Sequence, residues 1–169
     1  MRGRTVVPVI TAGAAIALAA TGLANSGSSS QAGSSQAQDR LEKRALFAVM
    51  TGRKEVDTEG RRGAGDPDGR GSFTATVDGD QLCFGMTVKN IETPGAAHIH
   101  RGRANQAGPV VVPLTHPSSG DPGASAGCVT VEASLARAIL KNPRKYYVNV
   151  HNAPFGGGAV RGQLFSRSN

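Results

Sequence analysis

At 169 residues, with 38% hydrophobic, 4% aromatic and no Trp, the chain has room for one domain and not for a large α/β enzyme. Its 19 Lys and Arg against 12 Asp and Glu give a net charge of +7, a modest basic excess. Seven aromatic residues and no nucleic-acid motif leave DNA or RNA binding without support.

The first 24 residues read as a secretory signal. Arg2 and Arg4 make a charged start, Val6 to Ala20 an apolar stretch, and Gly22-Leu23-Ala24 a small-residue cleavage site. The apolar stretch falls short of the ~20 residues that cross hydrocarbon, and no basic stop-transfer cluster follows, so no membrane span is expected after cleavage. Removing Arg2 and Arg4 leaves 17 basic against 12 acidic residues, or +5. Residues 25–44 are rich in Ser, Gly and Gln without apolar periodicity, as a flexible linker would be. The folded domain is expected over 45–165, outside the cell.

Within it the signals are mostly β. Leu46 to Met50 is a short apolar run. Phe73, Ala75 and Val77 alternate, as do Leu82, Phe84, Met86 and Val88, and Asp78-Gly79-Asp80 between them signals a hairpin. Further strands are expected at 96–100, 109–114, 128–131, 146–151 and 159–165. Ala133 to Lys141 has helical spacing and stops before Pro143. About eight strands, one short helix and regular turns predict an all-β Greek-key sandwich. Cys83 and Cys128, an even pair in an exported chain, are expected to form a disulfide, since no C-x-x-C spacing suggests a metal site.

Three histidines fall where strands would align them. Period-two alternation puts His98 and His100 on one face of their strand, with Ile99 turned inward. In the same way Tyr147, Asn149 and His151 share the face opposite Val148 and Val150. If the two strands are neighbours, three imidazoles converge, a donor set that suits copper or zinc. The competing reading is a hydrogen-bonded polar network that staples loops together. Gly123-Ala124-Ser125-Ala126-Gly127 matches G-x-S-x-G, but the parallel sheet that motif needs is not predicted. Gly65-Asp66-Pro67-Asp68-Gly69 reads as a turn rather than a Ca²⁺ loop. His116 is expected to be exposed. Scattered basic pairs such as Arg61-Arg62 and Arg144-Lys145 read as solvated surface, or as contacts for an acidic cell-wall polymer.

The two histidine segments resemble the CHRD (chordin) domain. One half is Ala97-His98-Ile99-His100-Arg101-Gly102 followed by Gly108-Pro109-Val110-Val111-Val112. The other is Tyr147-Val148-Asn149-Val150-His151-Asn152, then Phe155, Gly157-Gly158 and Ala159-Val160-Arg161-Gly162-Gln163-Leu164. Asn152 stands where an acid or threonine-like residue is usual. The resemblance implies a secreted β-sandwich, with no catalytic residue set to carry over, acting as a binding or cell-envelope module toward an extracellular protein or acidic polymer. A looser likeness joins His98, His100, His151 and Arg161 to the copper half of copper–zinc superoxide dismutases, though the zinc loop and a fourth ligand are missing. It implies a three-histidine copper or zinc protein, redox-active in the copper case. On either reading Asn149 and Arg161 neighbour the site, with Arg161 bonded to a carbonyl or to Asp68.

Overall fold

The structure, a computed structural model, describes residues 45–167; the expected signal segment and linker lie outside the described residues. Nine strands form one antiparallel sheet: β1 (Leu46–Thr51), β2 (Arg70–Asp78), β3 (Gln81–Lys89), β4 (Pro94–Arg101), β5 (Val110–Leu114), β6 (Gly123–Thr130), β7 (Tyr146–Asn152), β8 (Val160–Gln163) and β9 (Phe165–Ser166). Among the described residues the single α-helix, α1, is Ala133–Lys141. Spatial order is β5-β4-β7-β8-β1-β2-β3-β6, with β9 beside β1.

The sheet doubles over at the β8–β1 junction, where pairing thins to the single register match Thr51↔Arg161. Its two halves then face each other as in a sandwich. The alternating residues dictate what lies between them: Phe73, Ala75 and Val77 from β2 and Leu82, Phe84, Met86 and Val88 from β3 meet Ile99, Val148, Val150 and Val160 from the other half. Helix α1 covers one end with Ala136, Ile139 and Leu140, three residues on one helical face. Its first turn is capped by Glu132, whose carboxylate accepts from the Ser134 amide at 2.8 Å. The two outer edges, β5 and β6, approach near Thr115, whose carbonyl accepts from the Ser125 hydroxyl at 2.8 Å.

The hairpin forms where expected. Asp78 pairs with Gln81, leaving Gly79-Asp80 as a two-residue turn, with Gly79 at φ 60 in the left-handed region. Two expectations need correction. The run 159–165 is two strands, because the chain changes partner at Leu164: its amide donates to Tyr146 O (3.0 Å), and Phe165 then pairs with Phe47. The strand expected at 128–131 is longer, running from Gly123 to Thr130. Its first half therefore absorbs the G-x-S-x-G sequence as plain extended strand, and Ser125 sits on no nucleophile turn.

Cys83 and Cys128 are bonded, 45 residues apart in sequence and directly opposite each other on β3 and β6. The disulfide joins neighbouring strands on the outward face, away from the alternating core residues. It is not a buried link between two facing layers.

Candidate functional site

The site lies on the outer face of β4, β7 and β8. Inward residues of these strands, Ile99, Val148 and Val160, belong to the core, so their neighbours in sequence must point outward. Antiparallel register sets His100 opposite Tyr147, His98 opposite Asn149, and His151 opposite Ala96. The strand pairing assumed from sequence is the one found. Much of this outward face is nonetheless buried: Tyr147, Asn149 and Arg161 are almost fully covered, and His100 is 8% exposed. Two loops, 52–69 and 102–109, form the cover.

Two of the three histidines are held by their second nitrogen. His100 Nδ1 bonds the Gly108 carbonyl at 2.8 Å, and His151 Nδ1 bonds the Gly156 carbonyl at 2.9 Å. A carbonyl only accepts, so both Nδ1 atoms carry hydrogen and both Nε2 atoms keep a lone pair in the neutral rings. His98 Nδ1 lies 3.3 Å from His151 Nε2. One donor nitrogen from each of His98, His100 and His151 falls within 4.8 Å of the other two. Points so spaced lie within about 2.8 Å of a common centre (the separation divided by √3), while a His–metal bond is 2.0–2.1 Å. Small ring rotations close that gap.

Burial favours the neutral state at His98 and His100. The His98 imidazole is pushed below its ordinary range by desolvation, then by His151 and His100. His100 is also lowered, chiefly by desolvation, against the opposing Gly108 bond. Its Nε2 is buried with no hydrogen-bond partner. At His151, Nε2 stands 3.1 Å from Asn149 Oδ1, an oxygen that can only accept. A lone pair facing an oxygen is unfavourable, and a cation between them relieves it. The residues therefore fit a copper or zinc ion, with Asn149 Oδ1 as a nearby oxygen donor.

Behind the histidines lies a buried charged layer. The Arg161 guanidinium stacks on Tyr147, its Cζ 3.3 Å from the ring centroid, from the β8 side. From the β4 side His100 stacks on the same Tyr147, with centroids 4.7 Å apart and planes at 8°. Arg161 Nη2 donates to the carbonyls of Arg103 (2.8 Å) and Gln106 (2.9 Å). Its Nη1 is 3.6 Å from Glu55 Oε1, and Asn149 Nδ2 reaches Glu55 Oε2 at 3.4 Å. Desolvation raises the Glu55 carboxyl above its usual range, although the Val56 amide, Arg161 and Asn149 pull the other way. Of the two partners expected for Arg161, the structure has the carbonyl and not Asp68; the carboxylate is Glu55. Nothing in the sequence marked Glu55, an isolated acid between Lys54 and Val56.

Gly158 makes room for that carboxylate. At φ 137 it adopts a conformation that side chains avoid, and a Cβ there would run into Glu55 Oε2 and meet Asn149 Nδ2 at 3.0 Å. Gly158→Ala is expected to cost about 1–3 kcal/mol through strain and displacement of Glu55, read by urea unfolding. An unchanged midpoint would show that Glu55 moves freely.

His116 is exposed, bonded to its neighbour Pro117 O at 2.9 Å, and takes no part in the cluster. The Asp66–Asp68 turn likewise stands apart from the three histidines. Among the described residues no helix is long and apolar enough to cross a membrane.

Strand order, outward disulfide and loop-covered histidine face together define an all-β sandwich module of the kind expected outside the reducing cytosol. The family model for the CHRD domain matches residues 46–164, and the chain belongs to the CHRD domain family. No curated protein matches it.

Proposed function

We propose that this CHRD protein is exported and acts as a non-catalytic extracellular module that holds one copper or zinc ion through His98, His100 and His151. The observation that carries the metal is the donor geometry: three ring nitrogens within 4.8 Å, two of those rings oriented by backbone carbonyls through the opposite nitrogen. Backbone or carboxylate bonds to the distal ring nitrogen are the usual outer shell of metal-bound histidine. The unpartnered, buried His100 Nε2 supports the same reading. Bound metal would supply Lewis acidity, and copper a one-electron couple. Backbone carbonyls fix two of the rings, and burial lowers His98 and His100 toward the neutral form a metal requires.

Arg161 does not serve as an anion guide in the manner of a dismutase. It is 1% exposed and committed to Tyr147 and two carbonyls, so it steadies the cover over the site. For this reason a binding role is preferred to turnover.

The test is elemental analysis of protein recovered from culture medium, without a polyhistidine tag, after exposure to Cu²⁺ and Zn²⁺. Near-stoichiometric metal is expected, falling to background in His98→Ala/His151→Ala while the fold persists. Folded wild-type protein that stays metal-free refutes the metal reading. Retention of the full-length chain inside the cell refutes export.

A further inference from the structure

Apart from the histidine cluster, two clefts of about 310 Å³ each adjoin one another. The first is walled by Lys54, Arg62, Arg144 and Phe165; the second by Arg103, Lys141, Arg144, Lys145 and the same Phe165. Arg144 and Phe165 thus form the ridge between them. Among the described residues no acidic side chain lines either cleft. Among the described residues, the half-buried Asp57 and the exposed Glu59 pair with Arg61 instead.

The ridge is built rather than incidental. Gln163 Nε2 donates to the carbonyls of Arg144 (2.8 Å), Gly102 (2.8 Å) and Tyr146 (2.7 Å), anchoring the backbone of Arg144 while its guanidinium stays exposed. Phe165 is backed by Phe47, with ring centroids 5.8 Å apart, and is half-buried. Lys54 is lowered mainly by burial and secondarily by the positive charge of Arg62. Concave surfaces of one sign focus the field and concentrate counter-ions.

The geometry points to an acidic polysaccharide, a chain of uronate-type sugars, lying across both clefts with a ring against Phe165 and its carboxylates on Arg144, Lys141 and Arg62. Six cations on two connected clefts, besides the buried Arg161, suit an extended polyanion better than a single small anion. Guanidinium forks pair with carboxylates, and the aromatic face between them suits a sugar ring, which neither polyphosphate nor a polyol phosphate chain provides.

The experiment is calorimetric titration of the full chain with oligogalacturonate at low salt, with and without EDTA. Binding is expected to weaken as salt rises and to be indifferent to EDTA. Arg144→Glu should weaken it by ~10-fold or more, Phe165→Ala measurably, and Lys89→Glu, an equal charge change on β3 outside both clefts, by less than ~2-fold. The Arg144 side chain carries none of the anchoring bonds, so its replacement leaves the ridge in place. No binding, equal losses for Arg144→Glu and Lys89→Glu, or tighter binding of single-stranded DNA or polyphosphate would overturn the proposal. Binding that vanishes in EDTA would also overturn it, placing the carboxylates on the metal. The metal assay stands or falls independently of these outcomes.

Discussion

Replacing Arg161 by Met is expected to lower the unfolding free energy by about 3–5 kcal/mol, the cost of leaving one member of a buried ion pair behind. Side-chain exposure is 1% for Arg161 and 2% for Glu55, so neither can turn to water. The variant also strips two loop carbonyls of their donor and removes the cation from the Tyr147 face. The loss should depend on pH. The Glu55 carboxyl is already raised by burial, and losing Arg161 raises it further. A raised carboxyl makes the folded state bind more protons than the unfolded one, so the contribution of Glu55 to stability is greatest in acid and falls as pH climbs through the folded-state value. Urea unfolding across that range should therefore show the variant nearest wild type at low pH. The double variant Glu55→Gln/Arg161→Met should recover much of the loss, because no charge is then stranded. If the single and double variants unfold alike at neutral pH, the pair does not carry the coupling assigned to it.

Removing the disulfide as Cys83→Ala/Cys128→Ala is expected to cost about 4 kcal/mol in the chain-entropy account, given the 45-residue separation it closes. The loss should be concentrated in one strand. Strand β6 buries little, with only Gly123 well covered, and it sits at the sheet edge with β3 as its sole ladder partner. Amides of 123–130 are thus expected to exchange faster in the variant, while those of β4 and β7 keep their protection. Metal uptake should survive, because the histidines stand on the other half of the sheet. Uniform acceleration of exchange everywhere would contradict a local role.

Much of this arrangement is legible in the sequence. Strict alternation in Phe73-Ala75-Val77 and Leu82-Phe84-Met86-Val88 specifies both period and inward face, since bulky apolar side chains leave no other assignment. The spacing of His98, His100 and His151 against Ile99, Val148 and Val150 places the histidines on a common side once the strands pair. Strand β6 was harder to delimit because its first half, Gly-Ala-Ser-Ala-Gly, has no large side chains to alternate. The break at Leu164 was hidden for a different reason: it follows from a hydrogen bond to Tyr146 and a change of neighbour, both long-range. Glu55 was invisible because a lone acid in a loop ordinarily faces water. Its burial depends on Gly158, Asn149 and Arg161, which lie about a hundred residues further along the chain.

The seam between β5 and β6 bears on how this molecule meets copies of itself. An unpaired strand edge invites another chain to extend the sheet. On β5, Pro113 lies opposite His98, in a ladder that tolerates proline only where its nitrogen faces away from the partner. A donor that an incoming strand would need is thereby missing. At the other lip, Ser125 spans to Thr115 and draws the two borders together. The fold thus guards its rim against templated growth by withholding a hydrogen rather than by adding charge.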